Sequence, residues 1–182
     1  TAAAVPVTRP GHLYFLTNWM NLTGVLSSRI IAPRESHAKY YADLLEHTPG
    51  WVPLLRQPPT SGLVDVVTAE RGAEIPVLIE LPPDIVDSQM SDGPVIYRPA
   101  VALSQATAIH RRDGRDLKRH WARRYENVRP HDTLLKVTPE LFDGPGADRP
   151  PHNPPPNPHH VDWQRIDRIR GALNAVVVAG EK

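Results

Sequence analysis

The sequence predicts an α+β fold: a mixed or antiparallel sheet of about five to seven strands with two or three flanking helices, then a Pro-rich linker and a terminal helix. Three observations carry this. Short apolar runs rich in Val, Ile, Leu, Tyr and Phe recur along the first 142 residues, bounded by Gly, Pro, Asn and Asp. Amphipathic stretches at helical spacing fall between them. The 21 prolines among 182 residues gather in clusters, which suits broken strands and extended connections and speaks against a helical bundle.

Residues 1–11 read as an irregular lead-in, and 13–17 have the aromatic and aliphatic content of a strand. Asn18 is placed to cap a short helix through Leu26 that buries Met20, Leu22, Val25 and Leu26. Residues 28–32 read as a strand closed by Pro33. A helix is expected over 35–47, because Ala38, Tyr41, Ala42, Leu44 and Leu45 recur on one face before Thr48-Pro49-Gly50. Residues 51–55 are apolar but interrupted by Pro53, so a packed loop is expected there. The clearest strands are 62–69 and 75–81, joined by a hairpin or short loop at Arg71-Gly72. Pro76 puts the start of the second at an edge or just past it.

Ser91-Asp92-Gly93-Pro94 is a turn, with strands expected at 95–97 and 100–103. An amphipathic helix is expected over 113–128, where Leu117, Trp121, Tyr125 and Val128 form the apolar stripe. A strand at 133–137 and a short helix or turn at 138–142 complete the domain, set at residues 1–142. Residues 143–160, DGPGADRPPHNPPPNPHH, form a linker on composition. Residues 161–182 form a terminal helix, capped by Asp162 and lined by Trp163, Ile166, Ile169, Leu173 and Val177. It either docks on the domain or begins a further one.

With 40% hydrophobic residues and four Trp the chain can bury a core, and with no Cys it has no disulfides, thiolate zinc sites or cysteine nucleophiles. The start lacks the charged head and long apolar body of a signal peptide, and a cytoplasmic protein is expected. The nine His include no HExxH and no pair at i, i+4 with a carboxylate, so no metal is expected. Neither a nucleophile elbow nor a Gly-rich phosphate loop occurs. Net charge is +1, but between His110 and Pro130 seven Arg and one Lys stand against two Asp and one Glu. Arg111, Arg112, Arg115, Lys118, Arg119 and Arg123 are therefore candidate nucleic-acid-binding residues, suited to backbone phosphates rather than base edges. Trp121 and Tyr125 lie on the apolar stripe and read as core anchors. A solvated helix face or a site for an acidic partner protein is the alternative.

The segment from Phe15 through Thr17, Asn21-Leu22 and Val25-Leu26 to Ile30-Ile31 and Arg34 resembles the DarT-type DNA ADP-ribosyltransferases. That family opens with a strand carrying a His-x-Thr pair, followed by Asn-Leu, two aliphatic residues, a glycine and a Leu-rich strand. Phe15 here stands at the histidine and Arg29 at the glycine. Phenylalanine offers no hydrogen bond to a ribose, and arginine is less able than glycine to take positive φ. The resemblance implies that Thr17 and Asn21 sit at an NAD pocket and that Arg34 assists the reaction. It also implies a catalytic Glu near the start of a late strand, in an Ala-Glu-aliphatic context. Glu74 matches that context, Glu140 has the better place along the chain, and Glu80 is a third carboxylate, inside an apolar strand. A carboxylate there would stabilise the cationic sugar and help deprotonate the nucleophile.

Two functions follow from this reading. The first is a divergent DarT-like ADP-ribosyltransferase acting on or near DNA, transferring ADP-ribose from NAD. The second is a non-catalytic nucleic-acid or protein interaction module on a degenerate form of that fold, with no cofactor, using the basic surface of residues 111–124.

Overall fold

The computed structural model describes residues 11–33, 43–69, 75–86, 90–114, 129–151, 154, 157, 168–173 and 175–176. Along the chain these form β1 (Leu13–Asn18), α1 (Trp19–Ser28), β2 (Ile30–Ile31), β3 (Val52–Leu55), α2 (Ser61–Thr68) and β4 (Pro76–Leu81). There follow β5 (Met90–Asp92), β6 (Val95–Arg98), β7 (Val101–Ala102), β8 (Ala108–Arg111) and β9 (Leu135–Val137). Seven strands make one sheet in the order β5-β6-β3-β1-β4-β8-β9, and β2 pairs with β7 in a second. All pairs are antiparallel except β8 with β9. This is the expected α+β class with a mixed sheet.

The pleat sends alternate side chains to two cores. Phe15, Leu54, Val77, Ile79, Ile96 and Ile109 face one core, which α1 closes with Leu22, Val25 and Leu26. Tyr14, Leu16, Leu55, Leu78 and Tyr97 face the other, which α2 closes with Leu63, Val64 and Val67, together with Leu141 and Phe142. Being buried on both faces makes β1 and β4 read as continuous apolar runs.

Asn18 does cap α1, its side chain accepting from the Asn21 N–H. The strand expected over 28–32 shortens to Ile30–Ile31, because α1 continues through Ser28 and ends on Arg29 at φ 60°. Arg29 thus adopts the left-handed conformation despite its Cβ, and its carbonyl accepts from the Leu103 N–H at 3.0 Å.

The stretch 62–69 is a helix, not a strand. Thr60 Oγ1 accepts from the Leu63 N–H at 3.3 Å, and Leu63, Val64 and Val67 share one buried face. Residues 52–55 are a strand, not a loop. Pro53 sits opposite Tyr97 of β6, while the ladder to β1 is confined to Tyr14↔Leu55, so the missing N–H breaks no pairing there. A continuous helix over 35–47 does not reach its end: Asp43 is extended and caps a separate 3₁₀ turn, Leu44–His47. The strand expected from 133 starts at Leu135, after a 3₁₀ turn at Arg129–Leu134. Pro76 is the first residue of its strand, as expected, though β4 is central in the sheet.

The hairpin at Arg71-Gly72, residues 35–42 of the expected second helix, and residues 115–128 of the basic helix lie outside the described residues. So does most of the terminal helix; its described residues 168–173 and 175–176 are helical, and Ile169, Leu173 and Val176 are exposed. Part of the Pro-rich segment runs back along the domain. Gly144 N–H donates to Pro59 O at 2.7 Å, Gly146 N–H to Pro58 O at 2.9 Å, and Thr60 N–H to Ala147 O at 3.2 Å. Farther on, Asn157 Nδ2 donates to Gly50 O at 2.8 Å. Among the described residues no helix is long and apolar enough to cross a membrane.

Candidate functional site

The junction of β1 with α1 holds the first candidates. Phe15 and Thr17 lie two residues apart on β1, hence on one face, and both are fully buried. Phe15 packs within the α1-side core. The Thr17 hydroxyl is sealed from solvent and has no hydrogen-bond partner among the described residues. Asn18 points to the opposite face. Its Nδ2 donates to Val67 O at 3.0 Å and its Oδ1 accepts from Asn21 N–H at 3.0 Å, joining the start of α1 to the last turn of α2.

Asn21 is buried, and its Nδ2 donates to Asp43 Oδ2 at 3.0 Å. The other Asp43 oxygen accepts from Leu45 N–H at 2.8 Å. The Asn21 amide thus holds the carboxylate that caps the following turn. Arg34 lies outside the described residues.

The three carboxylates fare differently. Glu74 lies outside the described residues. Glu140 is exposed on the 3₁₀ turn Pro139–Phe142, between residues that anchor the chain. The late strand β9 opens at Leu135, and the nearest acid before it is the exposed Asp132. Glu80 is buried at the far end of β4, away from Thr17 along the strands. Thr107 Oγ1 donates to its Oε2 at 3.0 Å. His110 Nε2 lies 3.7 Å from Oε1 and His12 Nδ1 3.7 Å from Oε2. The facing His110 is the main influence holding the Glu80 carboxyl at about 2, below its ordinary 4.5; Thr107 and His12 add to it, and burial opposes it. His110 is itself fixed, Nδ1 lying 2.8 Å from Thr138 Oγ1.

Of the basic residues, Arg111 and Arg112 are described and half-buried. Arg111 ends β8 and pairs with Val77 and Val137. Arg115, Lys118, Arg119 and Arg123 lie outside the described residues. No group of three His, Cys, Asp or Glu among the described residues is arranged to hold a metal.

Arg98, at the end of β6, carries no sequence motif and was not among the candidates. It is half-buried, with its Nε sealed and lacking a hydrogen-bond acceptor among the described residues. His12, Thr107, His110 and Thr138 were missed for a related reason: only the register of β4 with β1 and β8 brings the first three to Glu80, and only the pairing of β8 with β9 brings Thr138 to His110. The one available signal was Glu80 itself, an acid in an apolar strand that needs partners.

No protein-family model matches this chain, and no curated protein matches it. Among solved structures, DarT of Thermus sp. 2.9 in complex with NAD+ is similar with a TM-score of 0.45 at 11% identity, over 74% of this chain and 98% of that one.

Proposed function

We propose that this chain is a degenerate relative of the DarT-type transferases, a module that binds nucleic acid through phosphate contacts and no longer turns over NAD. Phe15 carries this reading. It stands where the resemblance places a ribose-holding histidine, and its ring is fully buried in the α1-side core. A phenyl ring has no polar atom to offer a ribose. Asn21 points the same way, since its amide holds Asp43. The nucleic-acid part rests on the excess of seven Arg and one Lys over three acids between His110 and Pro130.

One observation favours the transferase instead. A buried hydroxyl without a partner costs about 1–3 kcal/mol, and Thr17 keeps one. In that reading Thr17 contacts NAD, Arg34 assists, and Glu74 or Glu140 is the catalytic acid.

Labelled NAD incubated with the protein and single-stranded oligonucleotides separates the two. The module leaves label untransferred, and its melting temperature does not move with NAD. It binds oligonucleotides with an affinity that falls steeply with salt, and Arg119→Gln with Arg123→Gln reduces that slope by about 2. Transfer of label that is lost in Arg34→Ala establishes the transferase and ends the degenerate reading.

A further inference from the structure

Thr138 carries a hydroxyl that its own turn does not use. It holds the N-cap position of the 3₁₀ turn Pro139–Phe142, where a threonine ordinarily accepts from the free N–H groups that follow. Here the side chain makes no such cap. It turns instead to His110, with Oγ1 2.8 Å from Nδ1. The other ring nitrogen, Nε2, is sealed without a hydrogen-bond partner among the described residues and faces Glu80 Oε1 at 3.7 Å.

The sheet register builds this line. Leu78 pairs with His110 and Glu80 with Ala108, so the acid and the imidazole are diagonal neighbours on one face of β4 and β8. β9 runs parallel to β8 and carries the chain to Thr138, whose N–H donates to Arg111 O at 2.9 Å. Thr107 Oγ1 donates to Glu80 Oε2 at 3.0 Å, and His12 Nδ1 lies 3.7 Å from the same oxygen. These neighbours keep Glu80 ionised at neutral pH. A carboxylate facing Nε2 favours the tautomer with its proton there. Nδ1 of the neutral ring is then the acceptor and the Thr138 hydroxyl the donor. A hydroxyl on an imidazole that is itself oriented by a carboxylate is the arrangement that activates an alcohol as a nucleophile. His110 is buried, whereas Thr138 is half-buried between the exposed Val137 and Pro139. The base is shielded and the nucleophile lies at the surface.

We infer that Thr138 is a nucleophilic hydroxyl that takes an acyl group from an activated ester, with His110 as its base and Glu80 as the positioning residue. Oγ1 bonds to the carbonyl carbon as its proton passes to His110 Nδ1. The bond to the leaving oxygen or sulfur then breaks, that atom takes the proton from Nδ1, and Thr138 is left as an ester. The backbone sets the class of donor. The Thr138 N–H is already bonded to Arg111 O, and Pro139 has no N–H, so neither supplies a donor for a developing oxyanion. The acyl donor must therefore bring a good leaving group, as thioesters and aryl esters do. The inference goes beyond the proposed function, and none of the substitutions that test that function touches it.

The test mixes the full chain with 4-nitrophenyl acetate, follows release of 4-nitrophenolate and maps acid-quenched samples by mass spectrometry. An acetyl group on Thr138 is expected, with release that falls by about tenfold or more in Thr138→Val and is kept in Thr138→Ser. His110→Asn slows release by about 10²-fold or more. Thr138 lies at the rim of the domain, so its two variants report even where His110→Asn fails to fold. Glu80→Gln slows release in the otherwise native chain but not in His110→Asn, because Glu80 acts only through the ring; an equal factor in both backgrounds overturns its positioning role. Acetylation confined to other residues, or release unchanged in Thr138→Val, overturns the inference as a whole.

Discussion

Glu80 stays charged in a buried strand because its neighbours supply what water would. Thr107 hydrogen-bonds to it, and His110 and His12 face its two oxygens at 3.7 Å. Its folded value of about 2 lies below the ordinary 4.5. The carboxylate therefore contributes stability that is fully present above pH 4.5 and lost as pH falls towards 2. A shift of this size corresponds to at most about 3 kcal/mol, and solvent screening reduces it. Glu80→Gln, which keeps the shape and removes the charge, should lower stability by about 1–3 kcal/mol at pH 7. Urea unfolding of both proteins at pH 7 and pH 3 checks this. The gap should narrow at pH 3, and a constant gap would assign Glu80 a packing role alone. Little of this cluster was legible in advance. An acid in an apolar strand announces that it needs partners, but Thr107 and His110 lie about thirty positions away, and only the β4–β8 register names them.

The two helices show which elements a sequence reveals through local chemistry. The start of α1 was readable because Asn18 is a side chain acting on its own backbone neighbours. The start of α2 carried the same kind of signal in Thr60, but Val64, Val66 and Val67 with Thr68 gave the segment a strand-like composition. Packing resolved the conflict: Leu63, Val64 and Val67 meet the core only as one face of a helix. The second contact of Asn18 was not readable. Its Nδ2 reaches Val67 O, tying the two helices together across the end of β1. The two roles separate by substitution. Asn18→Ser keeps a cap acceptor but is too short to reach α2, and should cost about 1 kcal/mol. Asn18→Ala loses both, for about 2 kcal/mol. Denaturant midpoints for the pair test this, and equal losses would show that the link to α2 contributes nothing.

Across the whole molecule, the order of the strands explains why Glu140 lies apart from Thr17 and Asn21. β1 sits at the centre of the sheet, so its polar residues are enclosed by both cores. β9 lies at an edge, three strands from β1, and Glu140 follows it into solvent. The chain then turns back. Leu141 and Phe142 enter the α2-side core, and residues 144–147 run beside residues 58–60 with hydrogen bonds in both directions. Composition alone does not reveal this, since proline favours the same extended backbone in a free linker and in a docked strap. Glycine is what distinguishes them here. A Cβ on Gly144 would lie 2.5 Å from Pro58 O, and one on Gly146 2.5 Å from the same atom, both backbone clashes. If the strap contributes to the stability of the domain, Gly144→Ala must force it away from residues 58–60. It would then lose the bond to Pro59 O and loosen the bonds that follow, at a cost of about 2 kcal/mol or more. Gly114→Ala, at a site with nothing within 4 Å, is the matched control. Thermal unfolding and limited proteolysis of the two variants decide the matter. A lowered melting temperature and new cleavage within residues 143–157 in Gly144→Ala alone make the strap part of the folding unit, whereas coincident unfolding curves make it a tether that merely rests there.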